Sequence, residues 1–443
     1  MPRVHAAVLP SRGAGHVNPM LELCRRIVHC GFSVSFLVPE NCPYIPTSEE
    51  QQEGESFHLV FFSMPKEEIP NNNMFMSPEM LHFVKPALEA LEPPAQVLIS
   101  SAFMGWSQDL ADSLGIPRVA LWPSNAANEV IATYLPRLIV ERYVLPAQED
   151  GDCKDDEKLI TFIPGLPPLR PTQLPVCYQN DSIDARMQAA AIARLPQAVC
   201  VLVNTIEELE IEVVRARQQT LRSYLPVGPL IRQKPIVNHR YKREAAACME
   251  WLEKQAPHSV LYIAFGSVFG LAVEEVAKIA DAVEETSQPV LWAMRRNFAT
   301  NAPGGFFEEL AARIAGGWRG LLVEWAPQQL ILPHSSVGAF LTHCGWNSTL
   351  EALAAGVPTL CWPLAAEQNW NAMVLTEEWK IGVNVSGGEI AGAIRAVMSD
   401  EIGSGMRARA RSLRESICDG GSSARNLHSF ALALKAEREN EKP

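Results

Sequence analysis

Residues 325–368 read WAPQQLILPHSSVGAFLTHCGWNSTLEALAAGVPTLCWPLAAEQ, and this stretch decides the fold. Residues 337–341 are an apolar run of strand length, and a polar Thr-His-Cys-Gly turn follows them. Apolar residues then recur at the spacing of a helix, which we expect to open at Asn347. Residues 357–361 are the next buried strand. The pattern therefore predicts a strand–loop–helix–strand unit.

The turn before this helix is suited to an anion. Gly345 allows a tight turn, and Asn347 and Ser348 are expected to cap the helix. The first N–H groups of a helix lack partners inside the helix, and the helix dipole is positive there, so a diphosphate would fit. His343, at the end of the incoming strand, could donate a hydrogen bond to a phosphate oxygen.

Other side chains of the stretch suit the remaining parts of such a ligand. Trp325 offers a flat face for a base, and Glu351, one turn into the helix, can accept hydrogen bonds from ribose hydroxyls. Glu367 and Gln368 follow the next strand and could face the other end of the ligand. Together these groups favour a nucleotide that carries a hydroxyl-rich substituent.

This stretch resembles the signature box of the plant secondary-product UDP-glycosyltransferases. It matches that box in length, in the HCGWNS core at residues 343–348, and in Trp325, Gln328, His334, Glu351, Pro363 and the closing Gln368. Singly, such residues are common in cores and turns, but together at this spacing they are specific to the box. The resemblance continues in GHVNP at 15–19, FGS at 265–267 and GGSS at 420–423. It therefore covers nearly the whole chain.

The resemblance implies the α/β fold called GT-B, in which two Rossmann-like domains with parallel sheets face each other across an active-site cleft. We expect an acceptor-binding domain over residues 1–235, a UDP-sugar-binding domain over 246–420, and a C-terminal helix over 421–438 that packs back on the first domain. The length agrees, because 443 residues exceed the roughly 250–300 at which a single core stops growing. The basic, polar segment 231–243 is interpreted as the linker.

The same resemblance assigns the donor site. Uracil stacking falls to Trp325, ribose contacts to Gln328 and Glu351, and the sugar hydroxyls to Trp346, Glu367 and Gln368. A closing Gln in the box is associated with glucose donors and a His with galactose, and the family usually has Asp where Glu367 stands. Fixed donors around the diphosphate would replace a metal ion. The expected donor-site residues are Gly15, Ser267 of the Gly266-Ser267 turn, Trp325, Ala326, Gln328, His343, Gly345, Trp346, Asn347, Ser348, Glu351, Glu367 and Gln368.

The N-terminal half opens with a βαβ pattern. Residues 5–9 are an apolar strand, Asn18-Pro19 are expected to cap and start a helix, and residues 32–38 are the next strand. Gly13-x-Gly15 lacks the third glycine and the acidic residue of a dinucleotide fingerprint.

In the family this segment is the acceptor-side loop, and its His, here His16, is the catalytic base. An ordinary histidine pKa near 6.5 suits a general base at neutral pH.

Ser101 departs from the family pattern. The family usually reads Asp-x-Phe at this strand end, and the Asp orients the catalytic His and stabilises its imidazolium. Here the residues are Ser101-Ala-Phe103. A Ser can hydrogen-bond the imidazole but cannot offset its positive charge. Asp109, in the following helix, is expected to keep a structural position and is not an obvious substitute.

Two further segments carry weaker signals. The Met-rich segment 64–94 either lines a tolerant acceptor pocket or packs as an ordinary helix, and the sequence leaves both readings open. The acidic segment 150–158 is expected to be a solvated loop without function.

Composition excludes several classes of protein. A net charge of −12 argues against a nucleic-acid partner, which would require a basic face. No apolar run approaches the length of a membrane span, and the N-terminus does not look like a signal peptide. The ten cysteines have no Cys-x-x-Cys spacing, which suggests reduced, buried thiols. We expect a cytoplasmic monomer without a metal cluster or cofactor.

The expected function is therefore inverting transfer of glucose from UDP-glucose to a small apolar acceptor, such as a phenolic or flavonoid, with His16 and Ser101 as the catalytic pair. One alternative is a UDP-sugar-binding protein whose catalysis is impaired by Ser101. A GT-B phosphorylase or epimerase is a third reading, and the box argues against it.

Overall fold

The computed structural model describes residues 3–40, 42, 56–64, 73–146, 158–232, 241–317, 320–399, 401–418 and 421–440. The chain forms two compact units. Unit 1 comprises Met1–Ile231 with Gly420–Pro443, and unit 2 comprises Arg232–Asp419. Most of the expected linker, 231–243, and all of the acidic segment 150–158 except Lys158 lie outside the described residues.

Unit 1 contains one large sheet and the helices that cover it. Its elements in chain order are β1 Val4–Leu9, α1 Ala14–His29, β2 Phe32–Pro39, β3 Phe57–Phe62, α2 Asn73–Met76, α3 Leu81–Glu89, β4 Val97–Ser101, α4 Ser107–Ser113, β5 Arg118–Trp122, α5 Ala126–Val140, β6 Leu145–Pro146, β7 Asn180–Asp181, α6 Ile183–Ile192, β8 Cys200–Val203, α7 Ile211–Gln218 and β9 Tyr224–Pro226.

The large sheet of unit 1 is parallel and doubly wound. Its seven strands stand in the order β3-β2-β1-β4-β5-β8-β9. Strands β1, β4 and β5 are buried along their whole length, as expected for a parallel sheet covered on both faces. Neighbouring residues in β1 point to opposite faces, so Val8 packs in one hydrophobic cluster and Ala7 in another.

Unit 2 repeats this architecture around a six-stranded sheet. Its elements are α8 Lys242–Leu252, β10 Val260–Ala264, β11 Leu271–Ala272, α9 Val273–Thr286, β12 Val290–Ala293, β13 Ala299–Thr300, α10 Phe306–Gly317, β14 Leu321–Val323, α11 Gln328–Ile331, β15 Val337–Thr342, α12 Trp346–Ala355, β16 Thr359–Cys361, α13 Gln368–Met373, β17 Gly382–Asn384, α14 Ile390–Met398 and α15 Ile402–Cys418. The strand order is β14-β12-β10-β15-β16-β17, and all pairs are parallel.

A last helix, α16 Ser422–Asn440, follows unit 2 in the sequence and belongs to unit 1. Its apolar residues Leu427, Phe430 and Leu434 join the cluster that covers β1 and α1. Near its start, the Ser422 hydroxyl donates to Glu208 at 3.0 Å. The helix is therefore part of the core of unit 1.

Two helix starts differ from the sequence expectation. Helix α1 begins at Ala14, not at Asn18-Pro19, because Gly13 adopts φ +106° and turns the chain early. Pro19 lies inside α1, where it removes one backbone hydrogen bond but stays near the helix start. Helix α12 begins at Trp346, with Gly345 at the cap position and no side-chain cap. The expected capping by Asn347 and Ser348 was wrong.

In the Met-rich segment 64–94, the structure favours core packing over a pocket lining at one methionine. Met80 is fully buried in the cluster that also holds Val84 and Leu88, so this residue packs as core. The side chain of Met74 lies outside the described part of the chain. All cysteines with described side chains are free, and five are buried: Cys24, Cys200, Cys248, Cys344 and Cys361.

A buried ion pair ties α7 to α5 in unit 1. Arg217 donates through Nε and Nη2 to the two carboxylate oxygens of Glu129, at 2.8 and 2.7 Å. Glu129 is 0% exposed and Arg217 is 6% exposed. With such burial, removing one partner leaves an uncompensated charge in the core.

We expect Arg217→Met to destabilise the protein by about 3–5 kcal/mol, because it strands the Glu129 carboxylate in the core. The neighbouring Arg215 on α7 is the matched control, since it pairs with Glu212 at the surface. Arg215→Met should cost about 0–1 kcal/mol. Urea unfolding followed by circular dichroism measures both. Equal costs for the two variants would contradict a stabilising role for the buried pair.

Candidate active site

Within each unit, the strand order places that unit's predicted site residues at one edge of its own sheet. In an open α/β sheet, ligands bind at the carboxyl ends of the strands where the strand order reverses. In unit 2 this reversal lies between β10 and β15, and the Gly266-Ser267 turn and His343 follow these two strands directly. In unit 1 it lies between β1 and β4, where His16 and Ser101 are found.

The His343 imidazole is held between two glycine turns. A Cβ placed on Gly266 would lie 2.7 Å from His343 Nε2, and one placed on Gly345 would lie 2.5 Å from the same atom. Gly266 also has φ +74°, which favours glycine. Burial lowers the pKa of His343 to about 4, so the imidazole is neutral at pH 7 and acts as a hydrogen-bonding group.

The turn between β15 and α12 depends on residues that the sequence did not single out. Cys344 adopts a left-handed conformation with φ 61°, which is uncommon for a residue other than glycine. Its N–H donates to Thr342 Oγ1 at 3.2 Å. Its carbonyl accepts from Asn371 Nδ2 at 2.9 Å, and Asn371 is 0% exposed. These contacts hold Gly345 in place, and no local sequence signal pointed to Asn371.

The start of α12 is open compared with that of α5. At α5, the carboxylate of Glu210 accepts from the N–H groups of Ala126 and Ala127, both at 2.8 Å, and Asn125 caps the helix. At α12, no side chain caps the start and no acidic residue stands in the first turn. The N-terminus of α12 therefore keeps the features of an anion site, whereas α5 carries its own anion.

Gln328, Ser348 and Glu351 form one hydrogen-bonded cluster next to this helix start. Gln328 Nε2 donates to Ser348 Oγ at 2.9 Å and to Glu351 Oε2 at 2.6 Å. Gln329 Nε2 donates to the other oxygen of Glu351 at 2.8 Å, and the Tyr262 hydroxyl donates to Gln328 Oε1 at 3.3 Å. Burial raises the pKa of Glu351, and the hydrogen bonds from Gln329 and Gln328 lower it in part.

The two tryptophans of the box differ in exposure. Trp325 is half-buried and stacks on Tyr241, with ring centroids 4.7 Å apart and planes 18° apart. Trp346 is 4% exposed and lies near Trp379. Ala326, beside Trp325, is buried in the core of unit 2. Tyr241 is a further residue that the sequence analysis missed.

The closing pair of the box lies at the start of α13. Gln368 is 4% exposed, and its side-chain oxygen accepts from the N–H groups of Leu364 and Ala365 at 2.8 and 3.0 Å. Only its amide nitrogen therefore remains for a ligand. Glu367 is half-buried at the cap position of α13, and Asn347 is half-buried in the first turn of α12.

An open cavity of about 360 Å³ lies at the strand ends of unit 2 and is lined in part by Phe269 and Gly270, a few residues after the Gly266-Ser267 turn. Ser267 itself is half-buried. The walls come from loops that follow β10, β16 and β17, including Phe269, Trp362 and Ser386. This space lies at the same strand ends as the box residues.

In unit 1, His16 stands in the first turn of α1 rather than in a loop. Its ring meets Phe103 edge to face at 5.0 Å, and Phe103 stacks on Trp122 at 4.7 Å. Nδ1 is buried, which leaves Nε2 as the nitrogen that can face a ligand. Burial lowers the pKa of His16 to about 4. Beside it, a Cβ on Gly15 would meet no atom within 4 Å, so space is open there.

Ser101 and His16 are not joined by a hydrogen bond, although a Ser at this position could make one. Ser101 is 1% exposed, and neither its Oγ nor His16 Nδ1 has a hydrogen-bond partner within the described ranges. The Ser101 carbonyl instead faces the buried Arg118 guanidinium, with Nη2 at 3.4 Å. Asp109 is engaged by Arg194 and is no substitute for the missing carboxylate.

The described residues contain neither a metal-binding cluster nor a membrane-spanning helix. No group of three or more His, Cys, Asp or Glu side chains there could hold a metal ion. Among those same residues, no helix is both long enough and apolar enough to cross a lipid bilayer.

Comparisons with known proteins agree with this geometry. Residues 185–404 match the family model for UDP-glucoronosyl and UDP-glucosyl transferase. Anthocyanidin 3-O-glucosyltransferase 2 of Fragaria ananassa is 31% identical over 465 residues, which cover 96% of each chain. A match of this identity over nearly the whole of both chains establishes the family.

Solved structures give the same result for the fold. UGT2 of Phytolacca americana, complexed with UDP-2fluoro-glucose and pterostilbene, is 28% identical with a TM-score of 0.80, over 98% of this chain and 100% of that one. A UDP-glucosyltransferase from Polygonum tinctorium capable of glucosylating indoxyl is 29% identical with a TM-score of 0.80, over 98% and 99%. The GT-B fold expected from the sequence is confirmed. The chain belongs to the plant UDP-glycosyltransferase family and is a glycosyltransferase.

Proposed function

We propose that the chain transfers glucose from UDP-glucose to a hydroxyl of a small apolar acceptor, such as a phenolic or flavonoid, and yields a β-glucoside. The observation that carries this proposal is the open start of α12, with neutral His343 beside it and the Gln328–Ser348–Glu351 cluster one turn away. The anthocyanidin glucosyltransferase of Fragaria ananassa supports the choice of donor and acceptor class.

In the donor site, each group would meet one part of UDP-glucose. The diphosphate would lie at the α12 start and the Gly266-Ser267 turn, where fixed N–H donors stabilise the charge that develops on the leaving UDP. Glu351 and Gln328 would bind the ribose, and the Gln368 amide nitrogen and Glu367 the hexose. The proposal assigns no metal ion to this site, and it takes the protein to be a cytoplasmic monomer.

In the acceptor site, His16 would act as general base. Because burial lowers its pKa to about 4, the imidazole is neutral at pH 7 and can accept the acceptor's proton at Nε2. The acceptor oxygen then bonds to C1 of the sugar from the face opposite UDP. The C1–oxygen bond to UDP breaks, so the configuration at C1 inverts. A base this weak favours acidic hydroxyls, which supports a phenolic acceptor.

A UDP-sugar-binding protein with impaired catalysis remains the alternative. The observation in its favour is that neither His16 Nδ1 nor Ser101 Oγ has a partner within the described ranges. A matrix of UDP-sugars against diverse acceptors, read by mass spectrometry, separates the two functions. A product heavier than the acceptor by one glucose supports the transferase, whereas donor binding without any product across the matrix would refute it.

The pH profile of kcat/KM should report the weak base. With a phenolic acceptor, we expect a flat profile from about pH 7 down to about pH 5.5 and a decline only toward pH 4, because His16 must be unprotonated and its pKa is lowered to about 4. A decline centred near pH 6.5, the ordinary histidine value, would show that His16 is not the weak base inferred from its burial.

Ser101→Asp should restore a carboxylate beside His16. We expect the acid limb to move to higher pH and kcat/KM for alcohols to rise more than for phenols, because a negative charge stabilises the imidazolium. Ser101→Asn is the matched control, since it has the same shape without the charge, and it should leave the acid limb unchanged. If Ser101→Asp folds, binds UDP and lowers both rates alike, Ser101 does not occupy the dyad position.

Gln368→His should shift donor preference from UDP-glucose toward UDP-galactose, because the Gln368 amide nitrogen is the group proposed to meet the hexose. The variant also loses the contacts to Leu364 and Ala365. Loosening of that loop would lower kcat/KM for both donors by the same factor, so the ratio of the two donors is the measurement. An unchanged ratio with intact UDP binding means that the donor is chosen elsewhere.

A further inference from the structure

Tyr241 is the one aromatic ring stacked on Trp325 within the described ranges, with centroids 4.7 Å and planes 18° apart. We propose that Tyr241 is a positioning residue for nucleotide binding: it fixes the plane of the Trp325 indole from one face, so that the base stacks on the other. This inference rests on the proposed UDP-sugar site and extends it to a residue outside the box.

Both rings are carried by well-packed backbone. Tyr241 is the cap residue of α8, and this helix is anchored by Cys248 and Leu252, which are 0% exposed. Ala326, next to Trp325, packs in the same hydrophobic cluster as Cys248 and Leu252. The two rings are therefore held against each other by one core, and their contact does not depend on a loop alone.

The Tyr241 ring is the aromatic neighbour that sets the plane of the Trp325 indole. Trp325 remains half-buried with Tyr241 in place. A side chain that samples several rotamers loses entropy when a ligand fixes it, and this loss weakens binding. The Tyr241 stack removes that loss in advance, because the indole is already in one plane.

The geometry also restricts where a base can lie. One face of an indole accepts one flat ring, so Tyr241 leaves the opposite face and the edge for a ligand. A uracil there would complete a stack of three rings, in which Trp325 is the middle layer. Aromatic pairs of this kind gain free energy beyond the area that they bury.

The test is a set of variants of the full chain with UDP as the probe. Tyr241→Leu keeps an apolar side chain but removes the stack, and it should weaken UDP binding about three- to tenfold while kcat at saturating UDP-glucose stays unchanged. Tyr241→Phe keeps the stack and should bind UDP like the wild type. Arg243→Leu is the matched control, because this exposed residue lies in the same first turn of α8.

A double-variant cycle separates positioning from general stability. In a Trp325→Leu background, Tyr241→Leu should have no further effect on UDP binding, because there is no indole left to orient. An equal loss in both backgrounds, or a fall in kcat, would overturn the inference. Tighter UDP binding by Tyr241→Leu would also overturn it, since Tyr241 would then occupy the face that the base needs. Wild-type protein that binds no UDP at all would refute the proposed function itself.

Discussion

The close fit of the His343 imidazole between two glycine turns is the constraint on which the site of unit 2 depends. Since a Cβ on Gly266 or Gly345 would come within 2.7 or 2.5 Å of Nε2, the ring fixes the spacing between the turns that follow β10 and β15. That spacing sets the start of α12, and through α12 the places of Ser348 and Glu351. The cluster with Gln328 then follows from helix geometry.

The starts of helices α5 and α12 differ in the polar groups that meet their first N–H groups. Glu210 satisfies the first N–H groups of α5, whereas the start of α12 has no side-chain cap. Two helices that each follow a strand of a parallel sheet therefore differ in what they can bind. The difference arises from the Asn125 cap and from the Glu210 carboxylate, which comes from a distant part of the chain.

The sequence predicted the sheet class of both units, because apolar strands are local signals. It failed where the outcome depends on contacts between distant residues. Gly13 turned the chain before Asn18, and Gly345 replaced Asn347 as the cap residue of α12. Tyr241 and Asn371 were missed because they contact residues far along the chain, Trp325 and Cys344. The absent Ser101–His16 hydrogen bond depends on distances that a motif does not contain.

Helix α16 has a consequence for how the protein is made. Ribosomes release the chain from its N-terminus, and domains generally begin to fold during synthesis. The cluster over β1 and α1 needs Leu427, Phe430 and Leu434, which emerge only after all of unit 2. The part of this cluster that α16 covers is thus exposed for most of translation, whereas unit 2 is one continuous stretch of the chain. The unit that is synthesised first is therefore the unit that is completed last.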